Sequence, residues 1–99
     1  MIYNIEFLKK ARLELLEAWK WYEDKQIGLG DKFKHQVDIC IKAIEQNPKK
    51  YPERKINYRE GIIKVFPYLV IYRIHKTKKT IAIISVFHTS RSPRKKFRQ

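Results

Sequence analysis

Ninety-nine residues are enough for one domain with a single core and too few for two. Apolar residues make up 43% of the chain, an ordinary share for a globular protein, which excludes disorder as the starting expectation. Lys and Arg outnumber Asp and Glu by 23 to 10, a net charge of +13. No apolar run approaches the roughly 18 residues that a membrane span needs, and the opening M-I-Y-N-I-E-F lacks the basic-then-apolar layout of a signal peptide. Cys40 is the single cysteine, which excludes an internal disulfide; a small core residue in a reduced, cytoplasmic protein is expected.

The elements follow in order. Ile2, Tyr3 and Ile5 suggest a short opening strand. A helix is predicted from about Glu6 to Asp24, with Leu8, Ala11, Leu15, Ala18 and Tyr22 on one face, and G-L-G (Gly28 to Gly30) ends it. Asp31 is placed to cap a second helix, whose apolar face carries Phe33, Val37, Cys40, Ile41 and Ile44 and which stops at Asn47-Pro48. Two amphipathic helices joined by a short glycine turn read as an antiparallel hairpin.

Beyond the polar loop Lys49 to Lys55 the period becomes extended. Ile56 to Glu60, Ile62 to Phe66 and Tyr68 to His75 read as strands, with Gly61 as a turn. Ile81 to Phe87 carries no charge and one polar group, Ser85, the mark of a strand buried on both faces. The expected architecture is α+β: one domain over 1–99, a helical hairpin packed on one face of an antiparallel sheet of three to four strands, with a basic tail over 94–99.

The charge is segregated. Up to Asn47 there are eight basic and eight acidic residues; from Pro48 onward there are fifteen and two. A basic half of this kind is the footprint of a face that meets a polyanion or an acidic partner. The expectation is that the free face of the sheet displays it.

Five stretches together carry a resemblance: A-x-x-E-L-x-E-A-x-x-W-Y-E from Ala11 to Glu23, G-L-G-D-K-F from Gly28, N-P-K-K-Y-P from Asn47, F-P-Y-L-V-I-Y-R-I from Phe66 and V-F-H-T-S-R-S-P from Val86. In this order they resemble the RelE/ParE superfamily of bacterial type II toxins, and its ParE-like, plasmid-stabilisation branch most. The resemblance implies a growth inhibitor with a basic groove and a cognate acidic antitoxin wrapped across it; no cofactor is expected. RelE-type members cut messenger RNA on the ribosome, whereas ParE-type members poison DNA gyrase, so the superfamily implies two possible targets.

If the chain is a ribonuclease, His88, Arg91 and Arg73 are the catalytic candidates. Imidazole titrates near neutrality and guanidinium can hold the phosphorane; Glu60 is a possible base. Ribonuclease members that keep this histidine usually begin the third strand with an arginine, where this chain has Tyr68. That departure favours the gyrase-type reading, in which Arg59, Lys64, Arg73, Arg91, Arg94 and Lys95 would form the target-binding surface. His35 and His75 have no partners at metal-ligand spacing, and no metal is expected.

Overall fold

A computed structural model describes residues 3–55 and 57–90. The chain opens with strand β1 (Asn4–Phe7), passes through helices α1 (Lys9–Lys25) and α2 (Leu29–Gln46), and returns as strands β2 (Glu53–Lys55), β3 (Tyr58–Ile62), β4 (Tyr68–His75) and β5 (Thr80–His88). The strands form one sheet in the order β1-β5-β4-β3-β2. β2 to β5 form the expected antiparallel meander, but β1 pairs parallel with β5, so the sheet has five strands and is mixed. The connection between these two parallel strands is long, as parallel pairing requires, and runs through the helical hairpin and then β2 to β4. Local alternation in the sequence shows a strand but never its neighbour, hence the lower expected count.

α1 starts three residues later than its apolar spacing suggests. Glu6 and Phe7 are drawn into the ladder opposite Ala82 and Ile83, and Leu8 packs on the far side of the sheet with Ile71, Ala82, Ile84 and Phe87. The rest of the predicted stripe holds: Ala11 and Ala18 are buried, with Leu15 and Tyr22 packed against the same core. In α2, Phe33, Val37, Cys40 and Ile44 are buried as expected.

The hairpin is joined differently from the sequence reading. α2 begins at Leu29, with Gly28 at φ 90 in the left-handed region, and its orphan N–H groups are capped from α1 rather than by Asp31. Glu23 accepts from Gly28 N (2.8 Å) with one carboxylate oxygen and from Gly30 N (2.9 Å) with the other. Asp31 instead accepts from the Trp19 indole N–H at 2.9 Å. A carboxylate at a helix N-terminus satisfies both the free donors and the dipole. Glu23→Ala is therefore expected to cost about 2 kcal/mol, read as a shift in urea midpoint with unchanged slope. A midpoint equal to wild type would remove Glu23 from the account of the hairpin.

Gly61, expected as a turn, lies inside β3. A Cβ there would sit 2.9 Å from Cys40 Sγ and 3.0 Å from Ile44 Cδ1, so glycine is needed for α2 to approach the sheet. The turn falls instead over residues 63–67, where Val65 holds φ 77. Under α2, burial pushes the Cys40 thiol from 9.0 up to about 11. Burial likewise pushes the Tyr72 hydroxyl from 10.0 up to about 12, against the pull of Arg59, while it donates to Pro48 O at 2.7 Å.

Both groups stay neutral in the fold beyond the pH at which the unfolded chain ionises. Their contribution to stability is whole below about pH 9 and is lost as pH climbs through about 11 to 12. Urea unfolding between pH 8 and 12 should show this alkaline decline, shallower in Tyr72→Phe; a flat profile would refute it.

The far face of the sheet is not the free basic surface expected. Ile71, Ala82, Ile84 and Phe87 form a second apolar cluster there, with Leu8, Tyr58 and Leu69 packed against it. β5 is thus buried on both faces, as its composition requires.

Candidate functional site

The C-terminal end of β5 is organised by a bulge. Along β4 and β5, Val70 faces Val86 and Ile71 faces Ser85, but Tyr72 faces Ile83, leaving Ile84 as an extra residue. The insertion shifts the phase of alternation. Ile81 and Ile83 point to the helices, Ile84 points away, and then both Ser85 and Val86 return to the helix side. In an unbroken strand the residue three beyond Ser85 would face away from the helices. The bulge brings His88 to the helix side, opposite Tyr68.

Glu14 of α1 secures this geometry. Its Oε1 accepts from the buried Ser85 hydroxyl at 2.7 Å and from Val86 N at 3.1 Å. The one polar residue in the buried run therefore anchors the strand beside its irregular segment to the helix, and Val86 N gains an acceptor there.

His88 sits edge-on to Tyr68, with ring centroids 4.9 Å apart and planes at 86°. Tyr68 in turn lies 4.9 Å from Phe33, in an aromatic cluster with Tyr22 and Phe66. The imidazole Nδ1 receives Ser90 N at 3.1 Å, with Ser90 Oγ at 2.6 Å. A backbone N–H can only donate, so Nδ1 is an acceptor and the ring proton of the neutral tautomer lies on Nε2. Thr89 N donates to Pro67 O at 2.9 Å, tying the β3–β4 turn to the end of β5. Together Pro67, Tyr68 and His88 form one rim of a cavity of about 500 Å³, and Glu14, Glu17 and Trp21 of α1 form the other.

Arg73 is not part of this assembly. It lies opposite Ala82 in the ladder, five residues along β4 from Tyr68 and on the other face, where its guanidinium stands 5.9 Å from the Tyr58 ring centre and 3.2 Å from His75 Nε2. Its Nε is buried without a hydrogen-bond partner among the described residues. Glu60, facing Ile71 in the ladder, is also on the far face. Arg59 is turned to the helix side: it donates to Tyr51 O at 2.5 Å and lies 3.8 Å from Glu53. Lys64 is exposed on the β3–β4 turn. Arg91, Arg94, Lys95 and the rest of the basic tail lie outside the described residues, as do Ile2 and Ile56. Among the described residues no three His, Cys, Asp or Glu side chains cluster as metal ligands would, and no helix is long and apolar enough to cross a membrane.

The acidic and aromatic rim on α1 is not among the site residues that the sequence indicates; Trp21 on it is 57% exposed. The signal was present in the spacing: Glu14, Glu17 and Trp21 recur at three and four residues, one strip of a helix.

A hairpin of helices over a five-stranded mixed sheet places the chain in a known class of fold. It is similar to a solved structure described as the chromosomal ParDE TA system from P. aeruginosa, with a TM-score of 0.77 at 15% identity, covering 90% of this chain and 98% of that one. Residues 5–93 match the family model of the ParE toxin of the type II toxin-antitoxin system parDE, so the chain belongs to the ParE toxin family. A comparison with curated protein sequences finds no significant match.

Proposed function

We propose that the chain inhibits growth by binding DNA gyrase, with no hydrolytic chemistry of its own, and that a cognate acidic antitoxin neutralises it. Membership of the ParE toxin family supports the toxin reading, and the ParDE description of the similar structure supports an antitoxin partner. One observation carries the choice of target. Cleaving RNA without a metal needs a cation beside the acid-base group to stabilise the phosphorane. Among the described residues the ring beside His88 is that of Tyr68, and Arg73 is on the opposite face of the sheet; Arg91 lies outside them.

The test is induction without antitoxin, followed by messenger RNA end mapping and gyrase assays on the same cells. Trapped gyrase–DNA complexes with intact transcripts are expected. Codon-phased cleavage that disappears in His88→Ala would overturn the proposal and establish the ribosome-dependent endoribonuclease instead.

A further inference from the structure

The chain is strongly basic, yet a cavity of about 500 Å³ among its described residues is walled by carboxylates and rings. Glu14 and Glu17 stand one helical turn apart on α1, and Trp21 continues the same strip. Tyr68 and His88 face them from the sheet, and the small, buried Ala18 lines the space between. Glu14 is held through Oε1 by Ser85 and Val86, so its charge is fixed at the wall. Glu17 is exposed and makes no ion pair among the described residues, so its charge is available to a partner.

Two carboxylates exclude phosphates and acidic side chains from this volume. Rings with apolar flanks beside those carboxylates suit a cation carried on a hydrocarbon stem, which gains from the charges and from ring faces together. Trp21 already shows that preference, with Lys25 Nζ 4.9 Å from its ring centre. A volume of about 500 Å³ is ample for one long side chain.

The geometry points to this cavity as the socket for an arginine or lysine side chain of the antitoxin, an inference that rests on the toxin–antitoxin reading above. Charge complementarity identifies the occupant. The acidic parts of such a partner suit the basic half of the chain, and this pocket of opposite sign demands an embedded cation. It therefore acts as a register mark: a partner displaced along the groove brings an acid or an apolar residue against Glu14 and Glu17 and is rejected.

The experiment measures affinity between the full-length chain and the antitoxin encoded beside it, for wild type, Glu17→Gln, Glu17→Arg and Trp21→Ala. Each is crossed with antitoxin variants in which every Lys or Arg is changed singly to Met. Both side chains are exposed, and thermal unfolding confirms that the variants fold. Glu17→Gln is expected to weaken binding about tenfold, Glu17→Arg more, and Trp21→Ala about tenfold. One antitoxin cation should couple to both Glu17 and Trp21 in double-mutant cycles.

Wild-type affinity in Glu17→Gln and Trp21→Ala, or strictly additive losses in every cycle, would overturn the socket and leave the toxin–antitoxin reading standing. Failure of the wild-type chain to bind the antitoxin would overturn both. Spermidine quenching Trp21 fluorescence while no antitoxin cation couples would make this a small-cation site and also overturn the proposal.

Discussion

Replacing Glu14 with alanine should lower the stability of the fold by about 3 kcal/mol, a drop of roughly 15 °C in Tm for a domain of this size. The carboxylate accepts from two donors on buried residues: the Ser85 hydroxyl and Val86 N. Removing the acceptor strands both, and a stranded buried donor costs more than an ordinary hydrogen bond contributes. Glu14→Gln keeps a carbonyl in the same place and should lose well under half as much. Thermal and urea unfolding of the two variants decide the matter; a Glu14→Ala midpoint close to wild type would show that the bulge does not depend on this anchor. The bulge sets which side of the sheet His88 occupies, so Glu14→Ala should also shift the imidazole resonances of His88, while those of His35, exposed on α2, should not move.

Gly30→Ala sets two effects against each other. Alanine is the better helix former by about 1 kcal/mol, and α2 would gain that much in isolation. In the folded hairpin, however, the new Cβ would lie 2.6 Å from the Trp19 carbonyl oxygen and 2.9 Å from Glu23 Oε1. The first is backbone of the neighbouring helix and cannot swing aside, and the second is the cap that Gly30 N itself uses. Crowding of this kind costs up to about 3 kcal/mol, and losing the cap adds to it, so a net loss of about 2 kcal/mol is expected. Urea unfolding reads it directly. A stabilised Gly30→Ala variant would mean that the helices are not held this close.

Much of the fold is legible in the chain because its elements are locally consistent. The period of Phe33, Val37, Cys40 and Ile44 permits only a helix with one buried face, and the uncharged run Ile81 to Phe87 permits only a strand covered on both sides. The motifs from Ala11 to Pro93 were enough to indicate the family, which the match over residues 5–93 establishes. What failed was whatever depends on a distant partner. Gly61 reads as a turn by its neighbours and is a strand residue because α2 lies on it. Asp31 reads as a cap and is not one, because Glu23 arrives from another helix. Leu8 fits the helix stripe and belongs to the opposite side of the sheet.

The candidate site divides the same way. That His88 ends a buried strand, and that Tyr68 opens the strand before it, are legible in the sequence alone. That these two rings meet, that Arg73 is on the other face, and that Glu14, Glu17 and Trp21 wall a cavity beside them were decided by tertiary structure. The physical reason is one unpaired residue, Ile84. Alternation along a strand is a local rule, but a bulge exists only relative to the strand it is paired with. Composition could therefore show how deeply β5 is buried, while only its register against β4, pinned by Glu14, determined which way its last residue faces.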